Sequence, residues 1–280
     1  MGMSAPQEGG AFVWGSAFGG WGEFDANRGS AAMNTDHKGL VAGFGFGGNG
    51  FAAALSAGIG GSDFDLDGRT DRAKVDSKYL AVHAVYGAGA GLRGAVGVSY
   101  AWHDVDTSRD ITVAPLVQML KSNRDANTLQ IFGELGYGIE AGNAAVTPFA
   151  RIAHVDTGSD AFTETGGTAA LALGKADQKA TFLSLGTRVQ FNAGKPGFRP
   201  YASAAWNRAF DDRSAVIPAR FVAGGNGFAI AGTTLPKSSA EVEAGFEYAV
   251  GSLQIGAAYS GTLASDRNTH GARVTARIAF

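Results

Sequence analysis

The 280-residue chain contains no cysteine, which excludes a disulfide scaffold, a zinc-thiolate centre and a thiol nucleophile. A cysteine-free chain also suits passage through an oxidising periplasm. Proline is scarce, at seven residues, and charged residues make up 17% where a soluble domain carries about 25%. Net charge is −2 and the isoelectric point is near 6.2, so no basic surface is on offer to nucleic acid. The start, Met1-Gly2-Met3-Ser4-Ala5-Pro6-Gln7-Glu8, lacks the basic and apolar regions of a signal peptide. What is plentiful is glycine, 43 residues, beside 18 phenylalanines and a hydrophobic share of 45%. So much apolar content rules out a disordered chain, and without a Gly-X-Y period there is no collagen helix.

Leu40 to Ser62 carries no charged residue and is about as long as a membrane-spanning helix, ~20 residues. Its glycines argue against a helix, since each costs ~1 kcal/mol there. Gly47-Gly48-Asn49-Gly50 instead reads as a turn between two alternating runs, so the segment is a hairpin. The same period of two continues along the chain. Leu80, Val82 and Tyr86 share one face, as do Val96, Val98 and Trp102, and Val274, Ile278 and Phe280 close the series. With a first strand near Phe12 to Phe24, twelve strands are predicted.

The opposite face holds the charges: Arg93, Glu134, Arg151, Arg188, Arg199, Glu241, Glu243, Glu247, Arg273 and Arg277. A soluble sandwich alternates in the same way, so strand length, connections and aromatic placement must decide. The runs reach about ten residues or more, the length a ~25 Å apolar band demands at ~40° tilt. Tight turns alternate with polar links, the longest being 107–125, 156–178 and 211–237. Phe46, Phe51, Tyr86, Tyr137, Phe191, Phe198 and Tyr248 fall beside the tight turns, and Trp102, Trp206 and Tyr259 beside the long links. Two such aromatic girdles mark two membrane interfaces. The predicted fold is all-β: a single 12-stranded antiparallel transmembrane β-barrel of the bacterial outer membrane, over residues 12–280. Residues 1–11 read as a short leader or N-terminal remnant.

An even strand number places both termini on the short-turn side, expected to be periplasmic. The ten inward charges are predicted to line a hydrated lumen, which inward Gly43, Gly45, Gly97, Gly136, Gly186 and Gly245 would leave open. Lipid bilayer and lipopolysaccharide are the expected surroundings, and a monomer the expected state.

Val13-Trp14-Gly15-Ser16-Ala17-Phe18-Gly19-Gly20-Trp21-Gly22 resembles the opening strand of the autotransporter (type V secretion) translocator family. Thr147-Pro148-Phe149-Ala150-Arg151, then Phe162-Thr163-Glu164-Thr165-Gly166, resembles that family's mid-barrel strand and its Phe-x-Glu-x-Gly loop. Arg199-Pro200-Tyr201-Ala202, Phe228 to Gly232, Ala244-Gly245-Phe246-Glu247 and the terminal Phe280 extend the likeness across the chain. Phe149 stands where the family often has Tyr, and Asn207 follows Trp206 where His is common. The resemblance implies a translocator that exports or anchors an N-terminal passenger, joined by a linker, through its lumen. It further implies that Val274, Ile278 and Phe280 form a signal read by the outer-membrane assembly machinery.

Other motifs carry less. Gly89-Ala90-Gly91-Leu92-Arg93-Gly94 fits a dinucleotide fingerprint, but the alternating stretch after it cannot open a helix. Asp156-Thr157-Gly158 copies an aspartic-protease turn without a second copy. Asp63 to Gly68 starts like a calcium loop, yet its twelfth position is Lys74 rather than Glu, leaving at most weak divalent-ion binding. The five histidines show no metal-ligand spacing, so no catalytic residue, metal or cofactor is assigned. A 12-stranded channel for small, anionic solutes is the alternative reading, and an outer-membrane hydrolase the distant one.

Overall fold

The computed structural model describes residues 9–26, 31–87, 89–192, 194, 196–210 and 214–280. In chain order the strands are β1 (Gly10–Phe24), β2 (Met33–Gly48), β3 (Phe51–Leu66), β4 (Arg72–Tyr86), β5 (Gly91–Val113) and β6 (Leu116–Ala141). Next come β7 (Ala144–Ser159), β8 (Phe162–Thr163), β9 (Leu171–Leu173), β10 (Ala176–Phe191) and β11 (Phe198–Phe210). The chain finishes with β12 (Val216–Phe221), β13 (Phe228–Ala231), β14 (Ser238–Val250), β15 (Leu253–Ala264) and β16 (Arg267–Ala279). Twelve of these form a closed barrel in which each strand pairs with its sequence neighbour in the ring, skipping β8, β9, β12 and β13. Those four short strands make a separate sheet in the order β13-β12-β9-β8.

Closure rests on β1 and β16, antiparallel from Phe12↔Ala279 to Phe24↔Arg267. The amide of Phe280 donates to the carbonyl of Ala11 at 2.9 Å, and Thr275 Oγ1 donates to Ser16 Oγ at 3.1 Å. A ring without a free edge leaves no strand with unpaired backbone groups facing lipid, which is what lets strands cross a membrane. The start of β1 and the end of β16 lie at the rim that also carries the tight turns. Between β2 and β3 the turn is Asn49-Gly50 alone, with φ of 52° and 76°. Two consecutive left-handed residues make the hairpin turn whose twist matches its strands, and Asn-Gly is the pair best suited to it.

At the opposite rim the structure departs from the expected links. Residues 107–125 are not a loop: β5 runs on to Val113 and β6 begins at Leu116, paired throughout. Likewise β3 continues to Leu66, so Asp63 and Asp65 sit in an extended strand and cannot wrap an ion as a calcium loop does. Beyond the apolar band both faces of a strand meet water, so hydrophobic alternation disappears while the hydrogen-bond ladder continues. The links at 156–178 and 211–237 supply the strands of the small outer sheet.

The inward glycines do not hold the bore open. A Cβ on Gly45 would lie 2.5 Å from the tip of the Phe12 ring, one on Gly39 2.5 Å from Phe18, and one on Gly186 2.6 Å from Phe149. Each glycine is a seat for a ring from a neighbouring strand. Phe12, Trp14, Ala52 and Ala54 thereby pack into a buried cluster inside the barrel, backed by Val41 and Val85.

Candidate functional site

The inward charges meet as a network rather than as isolated groups. Arg151 Nε donates to Glu134 at 3.0 Å, and Arg188 approaches the same carboxylate at 3.6 Å. On its other side Arg151 comes within 3.9 Å of Glu241, bridging β7 and β14 across two intervening strands. Asn207 Nδ2 also reaches Glu241, at 3.5 Å. Arg273 grips Glu243 through both guanidinium nitrogens, at 2.8 and 2.9 Å, and donates to the Tyr201 hydroxyl at 3.0 Å. Such two-pronged, charge-assisted bonds hold their partners in a fixed plane.

Nearer the tight-turn rim the remaining members separate. Arg93 folds back to donate to the Gly89 carbonyl at 2.7 and 3.2 Å. Arg277 stacks over the Phe12 ring, 4.0 Å from its centroid, as a cation on an aromatic face. Arg199 stands opposite Glu247 in register but is exposed. Glu247 Oε2 and Arg277 Nε are buried without a protein hydrogen-bond partner among the described residues. Arg93, Glu134, Arg188, Tyr201 and Glu247 surround a cavity of about 80 Å³. The bore is narrow at this level, because inward side chains fill what glycine composition alone suggested was free.

Outside the barrel, nine of the ten aromatics assigned to girdles are exposed, while Phe198 is half-buried against Phe246 at 5.7 Å. Trp21 belongs to the same outer belt and was not in the predicted set. It stacks on His270 at 5.4 Å, and Tyr259 covers the other side of that ring while hydrogen-bonding its Nδ1 at 2.6 Å. Val13, Ala17 and Trp21 are spaced by four, a signal that already puts Trp21 on the outward parity of β1. The inward aromatics Phe12, Trp14, Phe149 and Tyr201 were also missed. Their signal was a glycine or small residue at the paired position on the next strand. Val274, Ile278 and Phe280 are exposed along the outer edge of β16 and just beyond it.

At the long-strand rim, Arg109 on β5 clamps Glu164 with bonds of 3.1 and 2.6 Å, and the Leu171 amide donates to the same carboxylate at 2.9 Å. The pair ties the outer sheet to the β5–β6 hairpin, helped by reciprocal backbone bonds of 2.9 Å between Lys121 and Thr165. On the outer surface, Lys74 pairs with Asp76 at 2.8 Å and Lys179 with Asp156 at 2.9 Å; each carboxylate raises its lysine above the ordinary pKa. No group of three or more His, Asp or Glu side chains among the described residues could hold a metal ion.

Residues 13–260 match the family model described as the autotransporter β-domain. In sequence the chain is 30% identical over 184 residues to an extracellular serine protease of Serratia marcescens, covering 63% of this chain and 17% of that protein. A second extracellular serine protease of that organism is 33% identical over 114 residues, 41% of this chain and 11% of its own length. The chain thus spans well under a fifth of the curated relatives it matches. In fold it is similar to the translocator domain of the autotransporter NalP from Neisseria meningitidis, with a TM-score of 0.79, 17% identity, and coverage of 97% and 89% of the two chains. The β-domain of the Bordetella autotransporter BrkA gives a TM-score of 0.70 at 18% identity, covering 97% of this chain and all of that one.

Proposed function

The chain belongs to the autotransporter β-domain family and is an outer-membrane translocator barrel; on that premise we propose how its parts divide the work. Residues 12–280 are the translocator domain and residues 1–11 a short leader or N-terminal remnant, whose Gly10 and Ala11 already pair as part of β1; a passenger and its linker belong N-terminal to the barrel. The rim bearing the tight turns and both chain ends faces the periplasm, and the long-strand rim faces the outside. The passenger starts beside β1 and leaves through the lumen. The observation that carries this reading is the polar interior of a closed ring whose Glu247 and Arg277 retain unpartnered atoms. Buried polar atoms call for partners, and a linker backbone or water within the bore supplies them.

The other roles follow. Arg93, Glu134, Arg151, Arg188, Arg199, Glu241, Glu243, Glu247, Arg273 and Arg277 line the passage. Val274, Ile278 and Phe280 present the outer-edge pattern read by the assembly machinery. The barrel acts as a monomer and performs no catalysis itself, so any enzymatic activity resides in the passenger.

Single-channel conductance of the refolded barrel, with and without a peptide of the segment encoded upstream, tests the central claim. A pore blocked by that peptide is expected. A steady, solute-selective pore indifferent to the peptide overturns the translocator reading in favour of a channel. Orientation is tested separately, by protease added to intact cells: cleavage within the β5–β6 hairpin but not at the tight turns is expected.

A further inference from the structure

The small outer sheet continues the barrel wall. Its order, β13-β12-β9-β8, repeats the order β14-β11-β10-β7 of the ring strands that its members follow or lead into. Its β8 end is sealed against β6: the Asp160 amide donates to the Asp125 carbonyl at 3.0 Å, and Lys121 pairs with Thr165. Register then fixes the two faces. Arg124 lies on the same side of β6 as the inward Glu134, and its guanidinium sits 4.6 Å from the centroid of the Phe162 ring. Phe162 therefore faces the lumen side, and the pairs Phe162↔Leu173, Leu173↔Ala219, Ala219↔Phe228 and Ile217↔Ile230 carry that side across the sheet. The mouth of the bore thus has an apolar lip, where Phe228 packs on Phe221 at 5.7 Å.

At its other end the sheet stops with β13. Ring order would put β15 beside it, but β15 ends at Ala264, opposite Ser239, so no strand of the described residues stands there. The backbone of β13 shows which groups are left over. Pro218 turns its carbonyl toward β9, where it accepts from the Gly174 amide at 2.8 Å. Its partner Ala229 consequently directs amide and carbonyl away from β12, and so does Ala231 two residues on. The Gly232 amide belongs to the alternate set and donates to the Ala215 carbonyl at 2.8 Å. Exposed edges are normally blunted by charge or proline, yet Phe228-Ala229-Ile230-Ala231 has neither.

We propose that the β13 edge receives a strand of the passenger as it leaves the lumen. The incoming segment is extended and uncharged. It bonds through its backbone to Ala229 and Ala231 and lays alternate apolar side chains beside Phe228 and Ile230, the mode of recognition known as strand addition. The edge is continuous with the passage: β13 leads through residues 232–237 into β14, whose Glu241, Glu243 and Glu247 line the bore. A neighbouring barrel would approach from the membrane side, where β13 shows only Ala229 and Ala231. The apolar lip on the lumen side favours a chain coming out of the bore instead. The proposal rests on the reading that the passenger travels through the lumen to the long-strand rim.

Disulfide trapping in cells tests it, in a chain whose 280 residues contain no cysteine of their own. The Ala229→Cys variant of the full-length precursor is combined with cysteines walked one residue at a time along the chain encoded upstream of β1. A mild oxidant should join position 229 to alternate residues of one upstream stretch, because side chains alternate along a strand. Ala172→Cys, on the same face but inside the sheet on β9, should form no such link. Ala229→Pro removes only an outward amide, where an edge strand tolerates proline. It should slow arrival of the passenger at the cell surface about fivefold, the scale of one lost backbone hydrogen bond. Heat-modified gel migration verifies that each barrel is folded. Export of the Ala229→Pro variant at the wild-type rate overturns the proposal. So does a surface-exposed passenger with no link to position 229, or links only between two copies of the barrel; all three leave the translocator standing. A wild-type passenger that added protease never reaches at the cell surface instead overturns the passage through the lumen, and the edge with it.

Discussion

Arg109 and Glu164 lie 55 residues apart in the chain and meet in a two-pronged ion pair, with the Leu171 amide as a third ligand to the carboxylate. The Glu164 side chain is only 9% exposed, so the bond is sheltered from water. Glu164→Ala leaves an arginine and an amide without partners, at a cost of about 1–3 kcal/mol. The β8–β9 segment should then detach from the β5–β6 hairpin while the ring stays closed. Limited proteolysis should show new cleavage within residues 161–175 and unaltered heat-modified migration of the barrel.

Gly45 and Phe12 form a second joint, between β2 and β1. Gly45→Val drives a side chain into the Phe12 ring and is expected to destabilise the barrel by about 1–3 kcal/mol, as overpacking does. Phe12→Ala removes the ring's share of the obstruction and leaves a cavity, while the Ala53 carbonyl at 2.5 Å and the Ala54 Cβ at 2.8 Å still crowd the site, so the double variant should be less damaged than the two single effects added together but not restored. Urea denaturation of the refolded proteins measures the cycle, and strict additivity would contradict the joint.

Glu134 serves two arginines. Glu134→Gln leaves Arg151 and Arg188 without their shared carboxylate and makes the lumen more cationic. The reversal potential in a salt gradient should shift toward anion selectivity, because a ring of net positive charge favours anions. No shift would mean that the pair lies off the conduction path.

Phe280 joins the seam through its backbone, leaving its ring free on the outside. Phe280→Ala keeps the hydrogen bond to Ala11 and removes only the aromatic group. Refolding into detergent should proceed at the wild-type rate, while insertion in cells falls several-fold if the ring is read by the assembly machinery. Equal insertion of the two proteins would reduce Phe280 to a girdle residue.

Much of this architecture could be read directly from residue order. Asn49-Gly50 announced its turn, and the parity of Leu80, Val82 and Tyr86 set the outer face of β4. Residues 107–125 were misread because polar side chains on both faces erase the period of two, although the backbone ladder continues through them. Composition also could not distinguish an empty glycine position from an occupied one. Gly45 looks like free space until the register places Phe12 beside it. Arg109 and Glu164 fall in two of the polar links, 107–125 and 156–178, and nothing local to either reveals that the other is its partner.

The seam also sets a schedule. Ser16 and Thr275 are 259 residues apart, and the bond between them forms only when β16 has been made. No partial chain has a ring to close, so every strand emerging before the last must be kept from pairing with the wrong neighbour. The free edge of β1 is open to aggregation throughout that interval. Export and insertion must therefore handle a waiting, unclosed polypeptide, and assembly ends in one step when the final strand arrives.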